Sequence, residues 1–141
     1  MSQLEAESRE SLRTESILLA AGRMLNDMAP RAAVRLCARQ RVLAERLGRL
    51  NRDVRRTNDP LVQDFADQAV QRQNDEVIDR LRVVIEWELD QIDGALARIA
   101  AGDYGYCERC DGLITPARLE IMPQTALCEV CARSTGPQGN C

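Results

Sequence analysis

The chain has 141 residues, enough for one domain or one domain with an extension, and its 19 positive charges, all arginine, face 22 carboxylates for a net charge of -3. It contains no histidine and no lysine, which excludes Ser-His and Cys-His catalytic pairs, Schiff-base chemistry and a Walker-type phosphate loop. Its few aromatic side chains, Phe65, Trp87, Tyr104 and Tyr106, leave burial to aliphatic helix seams rather than to a thick globular core.

The polar, acidic start Met1-Ser2-Gln3-Leu4-Glu5 and the short apolar run Ile17 to Ala21 form neither a signal core nor a membrane span. The expectation is therefore a cytoplasmic protein with no membrane contact, whose paired cysteines bind metal before they form disulfides. Charge is split along the chain. Residues 1–58 carry 12 arginines against 7 acids, and residues 59–111 carry 5 against 13. Neighbouring segments of opposite sign suit antiparallel helices, and the acidic one weighs against phosphate binding by the basic one.

The first segment, about Leu4 to Met28, reads as helix, with Leu12, Ile17, Leu18, Met24, Leu25 and Met28 apolar; Pro30 breaks it or opens the next helix. From Arg31 to Arg56, Leu36, Gln40, Leu43, Leu47, Leu50 and Val54 step by 4, 3, 4, 3 and 4, a coiled-coil seam with one polar position. Thr57-Asn58-Asp59-Pro60 is a turn, because Pro60 keeps Asp59 out of the helical region. A second long helix runs from about Phe65 to Ala101 on the seam Ile78, Leu81, Ile85, Leu89, Ile92, Leu96 and Ile99. Val77, Val84 and Trp87 widen its stripe, so a third element, the N-terminal segment, is expected to pack there. Folding about residue 62 sets Leu43 opposite Leu81 and Leu36 near Glu88.

The fold class is thus all-α dominated: a long antiparallel coiled-coil hairpin with an N-terminal helix and a small C-terminal four-cysteine zinc finger. Its expected segments are an N-terminal helical piece at the base (1–30), a hairpin (31–101) with its tip near 58–69, the finger (102–134) and a flexible tail (135–141). A slender rod suits reaching rather than enclosing a substrate.

Cys107-x2-Cys110 is followed after 17 residues by Cys128-x2-Cys131, the spacing of a structural zinc site. Each knuckle aims two sulfurs at one point, and four thiolates around one zinc ion leave no position for a catalytic water. Two disulfides conflict with the expected compartment, and a thioredoxin-like pair wants a βαβ setting rather than a long preceding helix. Cys37, beside the seam, reads as a packing residue and Cys141 as a tail thiol without a role.

The stretch Gly102-Asp103-Tyr104-Gly105-Tyr106-Cys107-Glu108-Arg109-Cys110, with Ile114, Arg118-Leu119, Pro123, Cys128 and Cys131, resembles the DksA/TraR family of bacterial zinc-finger transcription regulators. Upstream, Asp64-Phe65-Ala66-Asp67-Gln68-Ala69 fits the D-x-x-D-x-A tip motif of DksA members of that family. The resemblance runs from about Asp59 to Cys131 and leaves residues 1–30 unmatched. It implies a non-enzymatic, monomeric regulator whose zinc module anchors a rod that enters the secondary channel of RNA polymerase, with no direct sequence-specific nucleic-acid contact. Asp64, Asp67 and Ala69 would then be the tip effectors. Read without the resemblance, Asp64 caps the second helix, Asp67 sits in the positive end of its dipole and Ala69 is simply a good helix former.

Some family members respond to the alarmone ppGpp through basic residues on the second helix and near the C-terminal end. Here Gln73 to Ala97 offers only Arg80 and Arg82 against seven acids, which argues against strong ppGpp binding through that helix and leaves only the first helix's arginines to compensate. Two other functions fit the same residues. One is a nucleic-acid-binding zinc protein using the arginine-rich helix 31–56; the other is a redox switch in which oxidation of zinc-bound thiolates releases the metal.

Overall fold

The computed structural model describes residues 2–57 and 65–135. Its helices are α1 (Ser2–Thr57), α2 (Phe65–Ala101), α3 (Pro116–Ile121) and α4 (Glu129–Ser134). Among the described residues there is no strand, only an isolated antiparallel bridge between Tyr106 and Leu113. Among the described residues no helix is long and apolar enough to cross a membrane.

The two long helices form an antiparallel pair because their apolar residues recur on one face of each. Leu36, Leu43, Ile85, Ile92 and Ala95 are buried in one cluster, with Leu47, Leu50, Leu89, Leu96 and Ile99 packed around them. Each side chain buried as fully as Leu36 or Ile92 contributes about 1.5–3 kcal/mol. Ala95, at 0% exposure, was not part of the expected seam. A methyl group gives no hydrophobic signal at that step, but it is what lets the two backbones approach.

The register differs from a fold about residue 62. Arg39 donates to both carboxylate oxygens of Glu88, from Nε at 2.7 Å and from Nη2 at 3.1 Å, and Gln40 Nε2 donates to Asp93 Oδ1 at 2.6 Å. Arg39 rather than Leu36 therefore lies beside Glu88, so the crossing point falls several residues later. A seven-residue apolar repeat offers nearly equivalent pairings one turn apart, and these polar contacts choose among them.

α1 also passes straight through Pro30, where the sequence suggested a break. Proline removes the hydrogen bond that its own N–H would give the Asn26 carbonyl, at a cost of about 3 kcal/mol in a helix interior. Pro30 is exposed, so that carbonyl faces water, and Leu25 and Ala32 are buried on either side of it. The stripe Leu25, Ala29, Ala32, Leu36 continues the seam without interruption, and packing on both flanks holds the helix through the missing bond.

Because α1 is one continuous helix, its N-terminal segment does not fold back along α2. Val77, Val84 and Trp87, expected to be covered by that segment, are 54%, 59% and 62% exposed. Leu19 and Met24 are exposed as well, and Leu25 is the first of the described side chains of α1 to enter the buried cluster.

Candidate metal centre

α2 ends in a glycine-dependent cap. Gly102 has φ +81°, its N–H donates to the Ile99 carbonyl at 3.2 Å, and the Asp103 N–H reaches the Arg98 carbonyl at 2.9 Å. This is a Schellman arrangement, and it throws the chain sideways off the rod into the cysteine module. Gly105 follows with φ +92°, and a Cβ there would run into the Leu25 side chain of α1. Two independent requirements, left-handed backbone and close approach, thus fall on one residue. Gly105→Ala is expected to destabilise the protein by about 2–3 kcal/mol, combining a left-handed backbone penalty of about 1–2 kcal/mol with the displacement of Leu25. An unchanged melting temperature would contradict it, and Gly102→Ala, which has open space around it, should lose only the backbone part.

The first knuckle is a tight hairpin. The Cys107 N–H donates to the Gly112 carbonyl at 2.8 Å, the Asp111 N–H donates to the Cys107 carbonyl at 2.9 Å, and Asp111 takes φ +55° to close the loop. The Ile114 N–H reaches the Gly105 carbonyl at 2.8 Å. The second knuckle is the start of α4, where Cys128 is the N-cap and its sulfur accepts from the Cys131 N–H at 3.4 Å. A backbone bond from the Glu108 N–H to the Ala126 carbonyl, 3.0 Å, draws the two knuckles together.

The four sulfurs of Cys107, Cys110, Cys128 and Cys131 lie within 4.8 Å of one another, and Cys110 Sγ and Cys128 Sγ are 3.8 Å apart. Ligands about 2.3 Å from a tetrahedral zinc sit about 3.8 Å apart, so the donor set fits that ion. Cys107 and Cys131 are buried, Cys128 is half-buried and Cys110 is exposed. The thiols do not share one acidity. The backbone amide of Cys128 pulls Cys107 down to about 6, while the neighbouring Cys128 sulfur and burial push Cys131 up to about 12. Four crowded sulfurs can release a first proton readily and a last one only with difficulty unless a dication sits among them. All four positions of the tetrahedron would be protein sulfur, which makes the site structural. Cys37 lies on α1, outside this cluster.

The module is fastened to the rod at three places. Tyr104, Cys107, Ile114, Leu119 and Cys131 form a buried cluster with Leu25 and Ala32 of α1. The Tyr104 hydroxyl donates to the Pro123 carbonyl at 3.1 Å, and burial raises its pKa above the ordinary phenol value. From the rod, Arg35 Nη1 donates to the Glu120 carbonyl at 2.8 Å, and Arg98 reaches Glu108 Oε1 at 2.8 Å and the Gln124 and Thr125 carbonyls at 3.1 and 3.4 Å. Sequence reasoning named Leu25 as an apolar helix residue and Gly105 within the family motif without seeing that the two meet, and it missed Arg98. A basic residue in the last turn of a helix normally answers that helix's own carbonyls, so nothing local marked Arg98 as a clamp.

The expected tip residues stand apart from this centre. Asp67 and Ala69 lie in the first turns of α2, and Asp64 lies outside the described residues. Asp67 and Ala101 are 34 positions apart on one helix, a separation of about 50 Å.

Comparison with known proteins agrees with this architecture. Residues 33–99 match the DnaK suppressor protein-like N-terminal domain, and residues 102–135 match the prokaryotic DksA/TraR C4-type zinc finger. The fold is similar to transcription factor DksA2 from Pseudomonas aeruginosa, with a TM-score of 0.71, 29% identity, and coverage of 89% of this chain and 99% of that one. It is also similar to the DnaK suppressor protein from Agrobacterium tumefaciens C58, at TM-score 0.52 and 39% identity over 74% of this chain and 91% of that one. An uncharacterized protein from Aquifex aeolicus is 39% identical over 69 residues, so the match spans about half of each chain, 49% of this one and 48% of the relative. With both of the family's modules in order and a four-sulfur cluster built to hold zinc, the chain belongs to the DksA/TraR family.

Proposed function

We propose that the chain is a transcription regulator, not an enzyme, that binds RNA polymerase through its secondary channel and acts on promoter complexes with the acidic tip of its rod. The observation that carries this reading is the pairing of a closed, all-sulfur base with a long two-helix arm, in a fold similar to that of the transcription factor DksA2. A structural site offers no open coordination position for catalysis, whereas a rigid arm delivers side chains at a distance from its anchor. Asp64, Asp67 and Ala69 are the residues proposed to act, and the zinc module serves to hold the arm.

The test is transcription in vitro with purified polymerase, with and without the protein and ppGpp. Asp67→Asn is expected to keep the melting temperature and polymerase affinity within about twofold while abolishing the effect on a ribosomal promoter. Normal regulation by that variant would remove the tip from the mechanism. A native chain that neither binds polymerase nor alters transcription would remove the whole reading.

A further inference from the structure

The four sulfurs of the metal centre are not equally held. Cys107 and Cys131 are members of the buried cluster that joins the module to α1, and Cys128 packs against it. Cys110 belongs to neither group and is exposed. The backbone differs in the same sense. Cys128 is the N-cap of α4 and its sulfur accepts from the Cys131 N–H, so moving it away uncaps a helix. Cys110 lies in the turn of the first knuckle, whose hairpin is held by other residues. The Cys107 N–H on the Gly112 carbonyl, the Ile114 N–H on the Gly105 carbonyl and the Tyr106–Leu113 bridge all form without it. Its side chain can therefore rotate off the centre while the hairpin persists. The Gly112 amide faces the Cys110 sulfur, and Gly112 has no side chain to cover it; a Cβ there would come within 3.3 Å of Cys110 Sγ.

We infer that Cys110 is the exchange ligand of the zinc site: an external thiol takes over the metal through the position of Cys110, while Cys107, Cys128 and Cys131 still hold it and the module stays folded. The inference rests on the zinc reading of the four sulfurs and is independent of polymerase binding. In the exchange the incoming sulfur forms a bond to the metal and the Cys110 sulfur gives one up. The proton released by the incoming thiol ends on Cys110, and nothing is oxidised or reduced. Three protein ligands and one outside ligand are an ordinary complement for zinc. Displacement at Cys107 or Cys131 would need the incoming group inside the apolar cluster. Release after the module opens would first have to expose Leu25, Tyr104, Ile114 and Leu119. Burial of those large side chains opposes that opening, whereas rotating one exposed thiol costs only its own metal bond.

The test uses the zinc-loaded full chain. Transfer of zinc to a chromophoric pyridylazo chelator is followed at increasing concentrations of glutathione, and the rate is expected to rise in proportion to the thiol. A rate that ignores glutathione would show release through opening of the module and overturn the inference. Pulse alkylation of the loaded chain, read peptide by peptide, is expected to modify Cys110 at least about tenfold faster than Cys107, Cys128 or Cys131. Equal rates across the four, or Cys128 first, would overturn the assignment as well. Cys110→Ser is expected to retain zinc and the amide protection of residues 102–135 while transferring the metal at least about tenfold faster than the native chain. Cys131→Ser should lose both zinc and protection. Equal losses in the two variants would make the ligands equivalent and sink the proposal. A native chain that takes up no zinc would remove the metal reading itself.

Discussion

Cys107→Ser, or chelation of zinc, is expected to unfold residues 102–135 while leaving the two long helices paired. Structural zinc contributes about 10–16 kcal/mol of apparent binding energy at neutral pH, which is folding energy for the module that holds it. Cys107 and Cys131 are themselves members of the buried cluster beneath the rod, so losing the metal removes core as well as ligands. The hairpin's own cluster of Leu36, Leu43, Ile85, Ile92 and Ala95 contains no residue of the module. Far-ultraviolet circular dichroism should therefore fall only slightly, since α3 and α4 have six residues each against 56 and 37 in α1 and α2. Amide exchange should instead rise throughout residues 102–135 and around Leu25, whose partners are lost. Uniform protection of the module after complete zinc removal would show that apolar packing alone folds it.

The same site sets a pH dependence for the metal. With Cys107 lowered to about 6, it is already thiolate at pH 7.5, and zinc uptake there is expected to release fewer than four protons. Below pH 6 that proton must be displaced too, so affinity falls more steeply as pH drops. Calorimetry in buffers of different ionisation enthalpy reads the proton count directly. A constant four protons across pH 5.5 to 8 would refute the lowered pKa of Cys107.

The four-cysteine cluster and both long helices were legible in the sequence because their signals are local and redundant. Two Cys-x2-Cys pairs specify one tetrahedron, and the seam from Leu36 to Val54 repeats its message six times. Pro30 misled because a helix-breaking residue is judged by its own bond, whereas its neighbours Leu25 and Ala32 decide whether the helix survives. Register was out of reach for a related reason. Leucines one turn apart are interchangeable, and the selective contacts of Arg39 and Gln40 are each between residues about 50 positions apart. The exposure of Trp87 was likewise invisible, since a widened apolar stripe on a helix reads the same whether a third helix of the chain covers it or a partner does. The tip motif was legible as a pattern through the family resemblance alone, because Asp64 and Asp67 also make sense as a helix start.

Arg98→Met is expected to loosen the module from the rod without releasing zinc, lowering stability by about 3 kcal/mol and the melting temperature by about 10 °C. The side chain is 15% exposed and bonds two backbone carbonyls and one carboxylate. Its partner Glu108 is 57% exposed, so the ion pair contributes little, on the order of 1 kcal/mol or less. The carbonyls of Gln124 and Thr125 matter more, because each accepts from a charged group and loses that donor when the arginine goes. Methionine keeps the aliphatic volume, which separates lost hydrogen bonding from lost packing. Glu108→Gln should therefore cost much less than Arg98→Met, and the double variant should cost barely more than Arg98→Met alone. Equal effects of the two single substitutions would move the energy to the ion pair and overturn the carbonyl assignment. Because Arg98 sits one turn before the Gly102 cap, a loosened clamp lets the base swing while the far end of the rod keeps its own packing. Under the proposed function, transcriptional activity should then fall through weaker polymerase binding, recoverable at higher protein concentration, whereas the defect of Asp67→Asn should persist at saturation.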